Sequence, residues 1–220
     1  MTDVPLVVAA PLGIEARAVR RGLPGAVVVR AGMRGRHAGR VAHALRDRDP
    51  AALTVAGVAG ALVPGPAPGD LVVPTEIRSA AGTVPCPSAA ALAEALRRHG
   101  LTVHTGPVVS VDHVVHGAER ARLAATGAVA VDMESAALVA AAEGRPSVVV
   151  RAVVDTPRRP LLHPATLPGG VAALRSLASL GPALLEWARA VTGERPAGPE
   201  HDSTPTGVVS HTPSREVGTK

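Results

Sequence analysis

Short apolar runs alternate along the chain with longer segments of helical period. PLVVAA (5–10) reads as a buried strand and GIEARAVRRGL (13–23) as a helix with its acid near the start. AVVVRAG (26–32) is a second strand, GRHAGRVAHALRD (35–47) a helix, and LTVAGVAG (53–60) a strand ending in glycines. DLVVPTEIRS (70–79) is a strand, SAAALAEALRRHG (88–100) a helix with a serine cap and a closing glycine, and TVHTGPVVSVD (102–112) is extended. ERARLAATG (119–127) is a short helix, AVAVD (128–132) a strand, MESAALVAAAEG (133–144) a helix and SVVVRAVVD (147–155) a strongly buried strand. VAALRSLASLGPALLEWARAV (171–191) closes the pattern as one or two helices.

Near-continuous valine runs between helices predict an α/β fold. The expected form is one domain over residues 1–193 with three layers, α/β/α, around a mostly parallel mixed central sheet. After Gly193 the chain turns to Pro, Ser, Thr and Gly with little to bury, so 194–220 reads as a disordered tail. The sequence shows no internal repeat.

Composition narrows the function. Hydrophobic residues make up 46% and charged residues 19%, which places most of the 220 residues in a globular core. Phe and Tyr are absent and Trp187 stands alone, so the core must be Val, Leu and Ala. Single-strand nucleic-acid readers stack bases on aromatic side chains, so that class is excluded. Net charge is +5, and Lys220 is the sole lysine. The arginines are read as a solvated face, with some free to serve anions. Cys86 is alone, so neither a disulfide framework nor a cysteine zinc site is available. Residues 51–69 are uncharged but carry Gly57, Gly60, Gly65, Gly69, Pro64, Pro66 and Pro68, which suits a strand and loop rather than a membrane span. The N-terminus bears an acid where a secretory signal is basic, so the expectation is a soluble, cytoplasmic protein.

Three acids follow three strands: Glu15, Glu134 and Asp155. Ligands of open α/β sheets bind at the carboxyl ends of strands. Glu134 is placed either to accept hydrogen bonds from a polyol or simply to sit at a helix start favoured by its dipole. Asp155, before Thr156–Pro157, either caps the strand as an Asx turn or sits desolvated where it can hold a proton. One such acid is ordinary, whereas three on one sheet suggest acid–base chemistry. The glycines of GVAGALVPGPAPGDLVV (57–73) let backbone approach a ligand, but the stretch has neither a P-loop lysine nor dinucleotide GxGxxG spacing. His113 and His116 invite a metal, yet they sit in a strand end and loop with no third ligand evident, so no metal is expected.

These segments, with AGMRGRHA (31–38), SVDHVV (110–115), VDMESAAL (131–138) and VRAVVDTP (150–157), resemble in order the nucleoside phosphorylase/nucleosidase superfamily over residues 5 to about 190. The nearest shape is the methylthioadenosine/S-adenosylhomocysteine nucleosidase branch. The resemblance implies cleavage of a purine nucleoside at its N-glycosidic bond. Asp155 would help protonate the purine at N7, and Glu134 would grip the ribose hydroxyls with Met133 beneath the sugar. Glu15 would activate water. Gly57, Val58 and Gly60 would form the glycine stretch at the substrate, Val114 and Val115 the base pocket, and Val153 with Val154 an approach to the base.

Departures carry meaning. Val58 stands where the family often has Ser, and Val55 and Ala56 stand where phosphorylases place a phosphate-binding Arg, so hydrolysis is favoured over phosphorolysis. Arg30, Arg34 and Arg36 remain as alternative phosphate ligands. Val114 replaces the family's Phe against the purine. No cofactor is implied beyond water as co-substrate, or inorganic phosphate if cleavage is phosphorolytic. DMES and VVDTPRRPL look most like the hopanoid-biosynthesis branch associated with removing adenine from adenosylhopane. That implies a lipid 5′ substituent, allows peripheral membrane contact without insertion, and leaves futalosine or methylthioadenosine/S-adenosylhomocysteine hydrolysis as alternatives. The relatives imply a homo-oligomer. From another class, a nucleoside-binding domain without turnover is the competing reading.

Overall fold

Strand β1 (Leu6–Ala10) is buried at every position, and its two faces feed two different cores. Leu6, Val8 and Ala10 face one cluster while Val7 and Ala9 face another, as the two-residue period of a strand dictates. The computed structural model describes residues 6–33, 38–158 and 166–193. The predicted tail at 194–220, and Arg34 and Arg36, lie outside the described residues.

The elements follow β1 as α1 (Gly13–Gly22), β2 (Val27–Arg30), α2 (Ala38–Arg48), β3 (Ala52–Ala61), β4 (Leu71–Ser79), β5 (Gly82–Pro85), α3 (Ala89–Arg98) and β6 (Val103–Ser110). They continue as α4 (Gly117–Ala125), β7 (Ala130–Asp132), α5 (Ser135–Ala140), β8 (Ser147–Asp155), α6 (Thr166–Ala178) and α7 (Gly181–Thr192). The first core packs α1, α3, α6 and α7 on one face of the sheet and includes Trp187. The second packs α2 and α5 on the other. The expected α/β fold with a mixed sheet and helices on both faces is what forms.

Strand pairing adds a feature that alternation along the chain does not forecast. β1–β2, β1–β3, β3–β8, β4–β6 and β6–β7 pair parallel, while β3–β7, β4–β8 and β4–β5 pair antiparallel. The pairs β3–β7–β6–β4–β8–β3 therefore close on themselves. Inside that ring sits a small core of Ala59, Ala61, Val72, Val108, Ala130 and Val153, one or two from each strand. Small and β-branched side chains suit so narrow an interior.

Other differences have local causes. β5 is a four-residue, largely exposed strand whose hairpin turns on Gly82 at φ 122°, too short and polar for a periodic signal. α6 starts at Thr166 rather than 171, because a proline is tolerated in a first turn. Gly169 is needed there, since a Cβ would come within 2.7 Å of the Val154 carbonyl oxygen. α5 stops at Ala140, and residues Glu143 and Gly144 turn the chain with positive φ. The terminal segment is two helices, with Pro182 starting the second. Among the described residues, no helix is long and apolar enough to cross a membrane.

Two glycines bring α1 against the α6–α7 junction. A Cβ on Gly181 would overlap the Gly22 carbonyl oxygen, and one on Gly22 would overlap the Ala178 carbonyl oxygen. Backbone cannot step aside as a side chain can. Gly181→Ala should therefore lower stability by about 1–3 kcal/mol. Thermal unfolding reads this directly, and an unchanged melting temperature would show that the two backbones separate freely.

Candidate active site

Helix α1 begins immediately after β1, and its first turn carries Glu15, which is 1% exposed. The carboxylate closes the helix start by accepting the Leu12 N–H at 2.6 Å on Oε2. Its Oε1 accepts the Val58 N–H at 2.9 Å, tying α1 to the glycine stretch of β3. Burial pushes the Glu15 carboxyl above its ordinary value and Glu134 pushes the same way, against the two N–H bonds and the charge of Arg151.

Arg151 lies in the middle of β8 and is wholly buried. Its Nε faces Asp132 Oδ2 at 2.7 Å, and Nε and Nη2 donate to Ser135 Oγ at 3.0 and 2.9 Å. Asp132 in turn accepts the Ser110 hydroxyl at 2.7 Å, the Ser135 hydroxyl, and the N–H groups of Glu134 and Ser135. This network sets the turn from β7 into α5 and thereby the position of Glu134, whose Oε2 is 3.9 Å from Arg151 Nη1. That Nη1 makes no hydrogen bond among the described residues. It lies against Gly57, where a Cβ would collide with it and would come within 3.2 Å of Glu15 Oε1. Glu15, Arg151 and Glu134 thus gather around Gly57.

Three residues along β3, about 10 Å away at strand rise, lies the other end. Asp155 is 5% exposed, and its Oδ2 accepts from Arg120 Nη1 at 2.6 Å. A Cβ on Gly60 would stand 2.7 Å from Asp155 Oδ1. A cleft opens here, lined by Val58, Ala59, Gly60, His113, Val114, Val115, Arg120, Val131, Asp132, Met133, Val154 and Asp155. Most of the lining is aliphatic with polar groups at few points, as in small-molecule sites.

Of the predicted residues, Asp155, Met133, Val58, Gly60, Val114 and Val115 line the cleft. Glu15, Glu134 and Gly57 form the adjoining cluster around Arg151. Val153 is placed elsewhere: it is fully buried inside the strand ring, and Val154 lines the cleft instead. Val153 is still in register with Ala59, which faces the same inner core, whereas Val154 keeps the face of Val150 and Ala152; the register shifts only beyond them, where Gly60 pairs with Asp155. Asp155 is desolvated as expected but not solitary, because Arg120 faces it. Val55 and Ala56, at the places of a phosphorylase arginine, are fully buried core residues. Arg30 is exposed and lies beside Gly13. Both ring nitrogens of His113 are engaged, by Asp112 and Glu119 at 2.9 Å each, which leaves neither for a metal.

Sequence reasoning overlooks Arg151, Asp132 and Arg120. The first had a signal: an arginine inside an apolar run of strand period must be buried and paired, and an acid must meet it. Arg120 had none, being one of three charges within four helical residues.

The sequence model of the Phosphorylase superfamily matches residues 22–167. No curated protein matches the chain. The solved 5′-methylthioadenosine/S-adenosylhomocysteine nucleosidase of Neisseria meningitidis, in complex with methylthio-immucillin-A, is similar at TM-score 0.65 and 21% identity over 85% of this chain and 98% of that one. The Helicobacter pylori nucleosidase of that specificity is similar at 0.66 and 16%, over 86% and 98%. The Helicobacter pylori futalosine hydrolase is similar at 0.65 and 16%, over 86% and 97%. Likeness at these identities shows a shared fold.

The environment of Glu15 has a consequence for stability. A carboxyl whose folded value is raised contributes most when protonated and loses that contribution as pH rises through the folded value. The difference in melting temperature, Glu15→Gln minus wild type, should therefore grow more positive from pH 5 to pH 8. A difference independent of pH would show that Glu15 ionises as easily in the fold as in the open chain.

Proposed function

The chain belongs to the Phosphorylase superfamily, and from that premise we propose that it cleaves the N-glycosidic bond of a purine nucleoside with water as co-substrate. The observation that carries the reading is a cleft lined by Asp155 that adjoins a buried cluster of two further acids around Arg151. Asp155 lines the cleft, and Glu15, Arg151 and Glu134 gather beside it around Gly57. Residues 1–193 would form the catalytic domain.

Glycoside cleavage needs a better leaving group and a supported cationic sugar. A proton shared between Asp155 and purine N7 lets the electron pair of the C1′–N9 bond pass into the ring. Glu134 accepts the ribose hydroxyls, with Met133 against the sugar. Glu15 takes the proton from the water whose oxygen bonds to C1′, and burial, which raises its carboxyl above the ordinary value, makes it a stronger base. Arg151 Nη1, which lies beside Glu15 and makes no hydrogen bond among the described residues, is placed to orient that water.

Hydrolysis is favoured over phosphorolysis for a physical reason. The Val58 N–H, which the glycine stretch could offer a phosphate oxygen, is already given to Glu15. A dianion there would meet that carboxylate. The purine is held by aliphatic packing from Val114, Val115 and Val154 and by hydrogen bonds at Asp155. The finer reading is release of adenine from adenosylhopane, a nucleoside with a lipid 5′ substituent. It is supported by the wording of residues 132–135 and 153–161 and by the aliphatic cleft, with Val114 44% exposed at its wall. A second copy of the chain is the proposed protein partner.

The test is a panel of adenosylhopane, methylthioadenosine, S-adenosylhomocysteine, futalosine and inosine, each with and without phosphate. Free base and an unphosphorylated sugar should form in phosphate-free buffer. A sugar 1-phosphate, bearing the substrate's own 5′ group and formed only with phosphate, would overturn hydrolysis, and nucleoside binding without base release would identify a binding domain. Asp155→Asn should cut kcat by about 10²–10⁴-fold while nucleoside still binds. Glu134→Gln should erode discrimination between ribosides and 2′-deoxyribosides.

A further inference from the structure

We propose that Arg120 is a positioning residue for the leaving-group end of the cleft, holding Asp155 so that one carboxylate oxygen meets position 7 of the purine. The proposal rests on the nucleosidase reading above. Arg120 projects from α4, the helix that follows the Val114–Val115 segment, and its side chain is only 10% exposed. A guanidinium that deep must have its charge and donors satisfied. It is held on two strands at once. Nε and Nη2 donate to the Ala61 carbonyl at the end of β3, and Nη1 donates to Asp155 Oδ2 at the end of β8. Nη2 also points at the Asp155 carbonyl oxygen, at 3.5 Å.

The fork therefore bridges β3 and β8 where the register shifts, and it prevents the carboxylate from turning. With Oδ2 taken by Arg120, Oδ1 is the oxygen left to the ligand, in space that exists because residue 60 is a glycine. Arg120 and Asp155 both line the cleft. Glu15, Arg151 and Glu134 are fixed by other contacts, to Leu12, Val58, Asp132 and Ser135. Loss of Arg120 should thus be felt at the base and not at the sugar.

Two adenine nucleoside analogues isolate that end. Formycin A presents an N–H at position 7, and tubercidin presents a C–H there. Wild-type protein should bind formycin A about ten- to a hundredfold more tightly, the factor expected of a hydrogen bond to a charged acceptor. Arg120→Met should bring the ratio toward one while leaving the Kd for tubercidin unchanged. Arg120→Lys, which keeps the charge but not the fork, should be intermediate. In an Asp155→Asn background, Arg120→Met should change the ratio no further, since it acts through that carboxylate. Calorimetric titration reads all five proteins, and if Arg120→Met does not fold, the Lys variant is judged by the same ratio. An undiminished ratio, or equal weakening of both analogues, overturns the proposal. Wild-type protein that binds both analogues equally also overturns it, whereas one that binds neither refutes the nucleosidase reading and this proposal with it.

Discussion

One guanidinium at the centre of a strand organises the site. Arg151 is wholly buried in β8, and its charge is met by Asp132 at the end of β7, also inaccessible to water. Removing either member of such a pair leaves an uncompensated charge in the interior and costs about 3–5 kcal/mol. The bond therefore forces β7, β8 and the start of α5 into one arrangement. Ser110 on β6 joins the same carboxylate, so three strands of the ring share a single acceptor.

The functional geometry follows from this constraint. Asp132 holds the N–H groups of Glu134 and Ser135, so the turn into α5 cannot swing and Glu134 stays beside Arg151. The far side of Arg151 looks across Gly57 to Glu15, which is locked by backbone donors from two elements. Gly57 and Gly60 serve the same purpose at the two ends: each leaves room for a charged group that a side chain would exclude. Between them runs a short stretch of β3 whose backbone forms a wall of the cleft.

Much of this was legible in the chain. The alternation of valine runs and helical periods requires a sheet covered on both sides, because neither element can bury its apolar face alone. Glu15, Glu134 and Asp155 could be singled out because each follows a strand, and strand ends are where α/β sheets admit ligands. The choice between Val153 and Val154 could not be made. Strand period puts the two on opposite faces, but which face lines the ring and which the cleft depends on β3, β4, β6, β7 and β8 closing around Val153. The hairpin of β5 and the early start of α6 were likewise hidden, the one by shortness and the other by its Pro168–Gly169–Gly170 run.

The amino-acid order by itself determined the elements, the two outer cores and the acids at the strand ends, because those depend on local period and on neighbours a few residues away. The tertiary structure alone decided that β3, β4, β6, β7 and β8 close into a ring and that Arg120 from a surface-patterned helix reaches Asp155, 35 residues on. Pairings of that kind depend on the distance between charges in space. A one-dimensional pattern carries no record of that distance until the strands have closed.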